Sequence, residues 1–229
     1  MAKRAALYIG ILAFALVLLL FLGAGHASAA DVLVTDDITT DTTWTSGNVY
    51  NLNTTIHVTN NSVLTVEPDV TVVAQGIYWI YVDAGSELII AGNESNPAVF
   101  TCNRSAVPYW YGLYFTSGSS GSLSYAEVHH AYYAVEAYNV TISVSNLWVN
   151  DTGYAYAVST DSLYETDRVV TLTDITATNM WWGFLYYYNY NGSLLLTLDG
   201  VEVEGCDGED VIYVSINNFD NTAALNMLV

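Results

Sequence analysis

Positive charge is scarce in this sequence. Four Lys and Arg residues stand against 23 Asp and Glu residues in a chain of 229, which gives a formal net charge of −19. After residue 30 only Arg104 and Arg168 remain. Because such a surface repels polyanions, we exclude nucleic acid and anionic lipid as partners. We interpret the acidic surface as one that keeps an extracellular protein soluble.

Hairpin signals are nearly missing as well. An Asn-Gly turn between alternating strands is a strong local sign of an antiparallel hairpin, and this dipeptide occurs only at Asn191-Gly192. The strand-like segments themselves are rich in Val, Ile, Leu and Thr in alternation. We therefore favour parallel strands and keep an antiparallel sandwich as the alternative.

The longest apolar run lies at the N-terminus. Ala5–Ala24 follows two basic residues and precedes the small-residue segment Gly25–Ala30. This order is typical of a secretory signal that is cleaved after Ala29 or Ala30. The run is also close to the roughly 20 residues that span a bilayer, so an uncleaved anchor stays open. Both alternatives predict an extracellular or cell-surface protein, and it contacts a membrane only through residues 5–24 if these are not cleaved.

A short segment recurs through the second half of the chain. Val140–Asn150 returns in altered form as Val169–Asn179 and Leu195–Gly205, and a weaker upstream copy begins at Tyr125. The spacing between copies is close to the period of about 20–50 residues that indicates a solenoid. The matched sets are Tyr125, Glu127, Val128 and His130; Val144, Asn146, Leu147 and Val149; Leu172, Asp174, Ile175 and Ala177; and Leu198, Gly200, Val201 and Val203.

A second short apolar strand follows each copy. These strands are Tyr133–Val135, Tyr156–Val158, Phe184–Tyr186 and Val211–Tyr213. Two strands per turn of the chain, each followed by turn residues, predict the coils of a parallel β-helix. In such coils alternate side chains point inward and stack from one coil to the next.

The upstream half contains an ordered set of segments. They are Leu64–Val73, Ala84–Leu88, Asn96–Thr101, Trp110–Phe115 and Leu123–Val128. This order resembles the start of secreted right-handed parallel β-helix proteins of bacterial and archaeal cell surfaces, in the pectate-lyase-like superfamily. The resemblance covers roughly residues 47–218 and implies an all-β, right-handed parallel β-helix that follows the N-terminal signal or anchor helix. It implies little about activity, because this architecture serves lyases, hydrolases and adhesins alike.

The predicted organisation has three parts. Residues 1–30 form the signal peptide or anchor, residues 31–122 form the N-terminal strands and first coils, and residues 123–229 form the later coils. Ser159–Arg168 is interpreted as an inserted loop. Because Ala223–Val229 is apolar and lacks a polar cap, we expect that the coils continue beyond it or that this end pairs with another copy.

Cysteine and histidine offer little chemistry. Cys102 and Cys206 lie about four coils apart in the predicted register, roughly 19 Å at about 4.8 Å per strand, so we predict no disulfide between them. His129 and His130 are adjacent in a predicted strand and should point to opposite faces. With no evident partner for His57, we expect no transition-metal site.

The catalytic candidates are carboxylates. Asp207, Glu209 and Asp210 cluster at one predicted turn, and a glycoside hydrolase needs two carboxylates about 5–10 Å apart. Stacked coils meet that distance easily, so the cluster is weak support for catalysis. The same three residues are the candidate calcium ligands, and we expect no cofactor other than calcium. A polysaccharide lyase, which the resemblance also implies, needs a base, and neither Arg104 nor Arg168 lies in a recognisable motif.

Seven Asn-x-Ser/Thr sequons are candidate glycosylation sites. They begin at Asn53, Asn60, Asn93, Asn103, Asn139, Asn150 and Asn191. The alternative is that these asparagines serve the turns, because Asn bonds its local backbone and tolerates left-handed φ.

Aromatic residues are the most unusual content, with 19 Tyr and 6 Trp. In alternating strands about half should point outward, and those on successive coils should form a ladder that can lie against sugar or another protein. The candidate ligand-binding residues are Tyr154, Tyr156, Tyr186 and Tyr188. The alternative is that the rings stack only for stability.

These patterns favour a non-catalytic function. We expect an extracellular structural or adhesive β-helix module that binds polysaccharide or a neighbouring cell-surface protein. The alternative is a polysaccharide-degrading enzyme on the same scaffold, a glycoside hydrolase rather than a lyase.

Overall fold

The structure is a computed structural model, and it describes residues 29–105, 109–159, 168–189, 194–208, 211–216 and 225–228. The described residues form strands and turns without a helix, and every pair of strands is parallel. The strands are β1 (Asp31–Val34), β2 (Thr42–Trp44), β3 (Val49–Leu52), β4 (Ile56–Val58), β5 (Val63–Val66), β6 (Thr71–Ala74), β7 (Trp79–Val82), β8 (Glu87–Ala91), β9 (Ala98–Cys102), β10 (Trp110–Phe115), β11 (Ser120–His129), β12 (Ala131–Tyr138), β13 (Ser143–Asn150), β14 (Tyr154–Ser159), β15 (Arg168–Met180), β16 (Gly183–Asn189), β17 (Leu194–Cys206), β18 (Ile212–Ile216) and β19 (Leu225–Leu228).

The strands build a parallel β-helix with two sheets. A seven-stranded sheet runs in the order β4, β7, β10, β12, β14, β16 and β18, so each coil adds one strand to it. A twelve-stranded sheet takes the remaining strands, and its N-terminal part is split into two branches, β2-β5-β8 and β1-β3-β6-β9. The predicted fold is therefore confirmed.

The two branches join in β11. Residues Ser120–Ser124 pair with β8, whereas Ala126–Val128 pair with β9. Tyr125 lies between the two parts with a left-handed φ of 51°, which bends the strand from one branch to the other. The later coils repeat this corner, so a first coil has three short strands and a later coil has two longer ones. The predicted domain division at residues 122 and 123 falls inside β11.

The predicted register of the upstream copy is wrong, because it did not place Tyr125 at the left-handed corner. The inward residues of β11 and β13 pair as Leu123 with Val144, Ala126 with Leu147, and Val128 with Val149, so the apolar position belongs to Leu123 and not to Tyr125. The later pairings, Val144 with Leu172 and Leu172 with Leu198, are confirmed. The predicted alignment of the upstream copy was wrong because it paired Tyr125 with Val144. The corner column is Tyr125, Asn146, Asp174 and Gly200, all with positive φ.

A second column of left-handed residues connects the two sheets. It consists of His130, Asp151, Asn179 and Gly205. At His130 one residue separates β11 from β12, and its φ of 55° turns both neighbouring imidazoles to the outside. The His129 and His130 ring centroids lie 6.1 Å apart, so the prediction that they point to opposite faces is wrong.

The interior is apolar and stacks coil on coil. Val144, Leu147 and Val149 of β13 are buried, as are their partners in β15. Each fully buried side chain of this size contributes about 1.5–3 kcal/mol to folding. Cys102 lies in β9 and Cys206 in β17, four steps apart in the twelve-stranded sheet, as the prediction of no disulfide between them required.

The predicted signal or anchor, residues 1–30, lies outside the described residues except for Ala29 and Ala30. In the part of the chain that the structure describes, no helix has the length and apolar character needed to cross a membrane. Nearly all of the predicted insertion Ser159–Arg168 also lies outside this part.

Candidate functional site

The aromatic residues concentrate on the outer face of the seven-stranded sheet, where the parallel register arranges them in two columns. We name the columns by their order along the strands. The first column contains Trp79, Gly112, Tyr133, Tyr154 and Gly183. The second column contains His57, Tyr81, Tyr114, Glu136, Ala157, Tyr186 and Tyr213.

The rings of the first column stack on one another. Tyr111 fills the place that Gly112 leaves, with its ring centroid 4.8 Å from that of Trp79 and the planes 8° apart. Trp79 and Tyr133 are separated by 6.1 Å, and Tyr133 and Tyr154 by 6.0 Å, again nearly parallel. Stacked rings cover each other's faces, so this ladder presents ring edges to solvent. The expectation of a ladder of exposed flat faces needs this correction.

The stack ends where the sequence places a small residue in each column. Gly183 follows Tyr154 in the first column, so the column itself adds no further ring there, and Trp182 and Tyr186 of the same coil as Gly183 contact Tyr154 instead. Ala157 precedes Tyr186 in the second column. Tyr154 and Tyr186 lie 5.4 Å apart with their planes at 47°, and Ala157 beneath them is buried although it points outward.

An open, shallow pocket of about 420 Å³ occupies this break, and Tyr133, Tyr154, Trp182 and Tyr186 line it. Residue Trp182 is 39% exposed, and its ring centroid lies 5.5 Å from that of Tyr154. A Cβ atom at Gly153 would lie 2.5 Å from the Trp182 ring, so the indole rests where only glycine leaves room. Trp182 thus joins the three tyrosines that turn part of their surface toward the pocket.

Glu136 is a carboxyl group in the middle of the aromatic face. It lies in the second column between Tyr114 and Ala157. Burial raises the pKa of Glu136 to about 7, because the surrounding rings remove the water that would solvate its charge. Its charge in turn helps to raise the pKa values of Tyr133 and Tyr186, after the larger effect of burial on Tyr133 and of burial and two neighbouring tyrosines on Tyr186. Glu136 is therefore electrostatically coupled to the pocket.

The four predicted ligand-binding tyrosines have different positions. Tyr154 and Tyr186 meet in the pocket. The prediction that Tyr156 binds a ligand at the surface is wrong. Tyr156 pairs with Val135 and Leu185 and is buried in the core, with only 2% of its surface exposed. Tyr154 and Tyr156 pair with Tyr133 and Val135, which in turn pair with the consecutive residues Gly112 and Leu113. This shift of register changes the alternation, so residues 154 and 156 point to opposite sides.

Tyr188 points outward and is half-buried beyond the pocket, where it pairs with Ser159 and Ser215. Sequence reasoning missed Tyr133, Trp182 and Glu136 as members of the site. The signal that finds them is the cross-strand register of β12, β14 and β16, which the apolar repeat alone does not fix.

The predicted carboxylate cluster is only partly described. Asp207 is exposed, and its backbone N–H donates to the carbonyl of Met180 at 2.8 Å. Glu209 and Asp210 lie outside the described residues. Within the described ranges, no three His, Cys, Asp or Glu side chains are grouped so that they could hold a metal ion. The calcium and hydrolase hypotheses for this cluster stay predictions.

A polar cluster lies at the corner between the two sheets, next to the pocket, because the ring centroids of Trp181 in the cluster and Trp182 in the pocket are 6.0 Å apart. Asp151 accepts a hydrogen bond from Trp181 Nε1 at 2.8 Å and lies 3.4 Å from Arg104 Nη1 and 3.7 Å from His130 Nε2. Thr101 Oγ1 lies 3.0 Å from His130 Nδ1. Burial, followed by the Arg104 charge, lowers the pKa of His130, so this imidazole is neutral at pH 7. We interpret the cluster as a clamp on the corner.

His57 also has a partner, contrary to the sequence analysis. Its Nδ1 atom lies 3.1 Å from Asp83 Oδ1, and its ring stacks on Tyr81 at 4.8 Å. It thereby extends the second column toward the N-terminal coils.

Several sequon asparagines serve corners or side-chain networks. Asn60 and Asn139 have left-handed φ, and the Asn139 amide donates to Ser117 Oγ at 3.0 Å. Asn103 donates to Gln75 Oε1 at 2.8 Å, and Asn150 Oδ1 accepts from Asn179. Asn53 and Asn93 are exposed, whereas Asn191 lies outside the described residues. Glycosylation itself stays a prediction.

Comparison with known protein families gives a match. A family model described as a pectate-lyase like beta helix domain matches residues 36–158, more than half of the chain. The matched range includes Tyr133, Glu136 and Tyr154, but Trp182 and Tyr186 follow it. Neither the curated proteins nor the solved structures that were compared with the chain give a match.

Proposed function

Because the chain belongs to the family of pectate-lyase-like β-helix domains, we propose that it is a non-catalytic binding module outside the cell whose ligand is carbohydrate. The observation that carries the proposal is the aromatic outer face of the seven-stranded sheet. Four aromatic residues there surround an open pocket, and further rings follow on neighbouring coils.

The chemistry of this face suits a sugar. A pyranose ring has apolar C–H faces and a rim of hydroxyl groups. Trp182 and Tyr154 offer ring surface for the C–H groups, and amphipathic aromatic side chains of this kind are common in binding sites. The tyrosine edges offer hydroxyl groups as donors and acceptors. Because strands recur at about 4.8 Å, a glycan chain that runs along the solenoid from the pocket also reaches the rings of the neighbouring coils.

The same face supports binding rather than hydrolysis. Cleavage of a glycosidic bond takes two carboxyl groups about 5–10 Å apart. The neighbours of Glu136 in its column are Tyr114 and Ala157, which supply no second acid. The raised pKa of Glu136, about 7, follows from burial alone and needs no catalytic partner.

The test is retention of the purified full chain on a panel of immobilised neutral and acidic polysaccharides, with and without calcium. We expect retention on at least one neutral polysaccharide. Tyr186→Ala and Tyr154→Ala should each weaken it roughly threefold to tenfold, the loss of one aromatic contact. Trp148→Ala is the matched control, because Trp148 lies on the twelve-stranded sheet.

Newly formed sugar ends are measured in the same samples. New ends that disappear with Asp207→Ala would overturn the non-catalytic function and favour the hydrolase. Failure of every polysaccharide to retain the chain would contradict carbohydrate as the ligand and favour a neighbouring surface protein. A requirement for calcium would support the predicted cation site near Asp207.

A further inference from the structure

We propose that the pocket formed by Tyr133, Tyr154, Trp182 and Tyr186 binds an organic cation, a quaternary ammonium or alkylated amine group. This inference goes beyond carbohydrate binding, because it concerns a charged group and holds whether or not a polysaccharide is retained. It rests on three observations: the composition of the pocket, the charge around it and the break in the ring stack.

The lining has the composition of an aromatic cage. Trp182 and three tyrosines form it, with ring centroids 5.4–6.0 Å apart between neighbours that are in contact. Aromatic rings carry a negative quadrupole on their faces, so several rings that surround one point attract a cation there. Quaternary ammonium groups suit such a cage especially well, since they shed water easily and cannot donate hydrogen bonds.

The ring planes are arranged so that faces are available. Trp182 is tilted by 49° to Tyr154 and by 55° to Tyr133, and Tyr154 is tilted by 47° to Tyr186. In the first column the plane of Trp79 lies within 12° of those of Tyr111 and Tyr133, and the planes of Tyr133 and Tyr154, which both line the pocket, lie within 15° of each other, so these pairs cover one another. The cage therefore occurs only where Gly183 and Ala157 interrupt the columns, within the face that the structure describes.

The charge of the protein also favours a cation. The formal net charge is −19, and the field of so many carboxylates concentrates cations near the surface. Glu136 is the carboxyl group coupled to two of the lining residues, Tyr133 and Tyr186. The basic side chain of Arg104 contacts Asp151 and the Tyr109 ring at the corner and does not line the pocket.

Glu136 makes this binding sensitive to pH. The groups that face it are the hydroxyls of Tyr81 on β7, Tyr114 on β10, Tyr133 on its own strand and Tyr186 on β16. All of these stay neutral near pH 7, because their pKa values are raised above the usual 10. Near pH 7 the change of charge beside the cage therefore comes from Glu136. As pH rises through 7, Glu136 becomes negatively charged, and a cation should bind more tightly.

The experiment titrates the full chain with choline and follows tryptophan fluorescence and heat of binding at constant ionic strength. The matched probe is 3,3-dimethylbutan-1-ol, which has the shape of choline without its charge. We expect saturable binding of choline, at least tenfold tighter than that of the neutral alcohol. Sodium chloride at the same concentration should produce no saturable signal.

Variants locate the site. Trp182→Ala should weaken choline binding at least tenfold, whereas Trp148→Ala on the other sheet should leave it unchanged. Glu136→Gln should remove the gain in affinity between pH 6 and pH 8 while the binding of the neutral alcohol stays the same. If both probes bind equally, or if both tryptophan variants weaken choline alike, the inference is wrong.

Polysaccharide retention separates this inference from the proposed function. Choline binding without retention on any polysaccharide would support the cation site and contradict carbohydrate as the ligand. Retention on a polysaccharide without choline binding would support the carbohydrate ligand and contradict the cation site. Competition of choline against a retained polysaccharide would show that the two ligands share the pocket.

Discussion

Tyr154 and Gly183 are cross-strand partners on the outer face of the seven-stranded sheet, and this pairing ends the ring stack that begins at Trp79. Because glycine has no side chain, the first column adds no further ring beyond Tyr154. Trp182, the residue before Gly183, lies beside this gap instead. A single register position thus converts a structural ladder into a pocket.

Substitutions of Tyr154, on the outer face, and Tyr156, in the core, should differ in their effect on stability. Tyr156 is fully buried, so Tyr156→Ala should lower the free energy of unfolding by about 3–5 kcal/mol. Tyr154→Ala removes a half-buried ring from the outer face and should cost about 1 kcal/mol. Urea unfolding followed by circular dichroism measures both. Equal costs for the two variants would contradict the register that places Tyr154 outside and Tyr156 inside.

At the left-handed corner we expect the glycine variant to be more stable than the alanine variant, the opposite of the usual order in a strand. Asn146 has a φ of 51°, where a Cβ atom costs about 1 kcal/mol. Asn146→Gly should therefore be more stable than Asn146→Ala by about 0.5–1 kcal/mol, although both remove the same amide.

Ser145 is the control for this comparison, because it precedes the corner within regular strand. There the glycine variant should be the less stable one, by about the same amount, since glycine loses more chain entropy on folding. Thermal or urea unfolding of the four variants decides the sign at each position. The same order at both positions would mean that residue 146 is not left-handed.

The sequence predicted the coils well because their signal is periodic. Inward Val, Leu and Ile residues at Val144, Leu172 and Leu198 repeat with each coil, and an apolar interior permits little else. The upstream copy was misplaced because Tyr125 occupies a corner that Asn, Asp or Gly fills elsewhere. Aligning Tyr125 with the other corner residues, rather than with the apolar ones, gives the observed pairing of Leu123 with Val144.

The site was harder to predict because it depends on the register between strands. Tyr154 and Tyr186 were found from composition, but Tyr156 was included because simple alternation ignores a bulge. Trp182 lies outside the named strands and enters the site only through the close packing that Gly153 permits. Glu136 carries no local motif. Its unusual environment arises from rings on β7, β10 and β16, and sequence distance hides such neighbours.

The tyrosines of the aromatic face should ionise late. Burial raises the pKa of Tyr114 to about 12, and the Glu136 charge adds to this effect. The pKa values of Tyr81, Tyr133 and Tyr186 are raised as well. Absorbance at pH 11 should therefore show fewer ionised tyrosines than the 19 in the sequence until the chain is unfolded. Glu136→Gln should shift part of this titration to lower pH.

Glu136 also predicts a dependence of stability on pH. Its pKa is about 7 in the folded protein against an ordinary value of 4.5, so the folded state holds a proton that the unfolded state releases between these values. The favourable contribution of the neutral acid is complete below pH 4.5 and is lost as pH rises through 7. A shift of this size corresponds to about 3 kcal/mol at most, and partial exposure reduces it to about 1–3 kcal/mol.

Glu136→Gln measures this contribution, because the amide keeps the shape and cannot ionise. At pH 8 the variant should be more stable than the parent chain by about 1–3 kcal/mol, whereas at pH 4 the two should be nearly equal. Urea unfolding at both pH values gives the difference. Glu202→Gln is the control, since Glu202 is exposed on the twelve-stranded sheet and water solvates its charge. A Glu136 variant that gains nothing between pH 4 and pH 8 would show that the carboxyl is solvated, and it would also remove the expected pH dependence of cation binding.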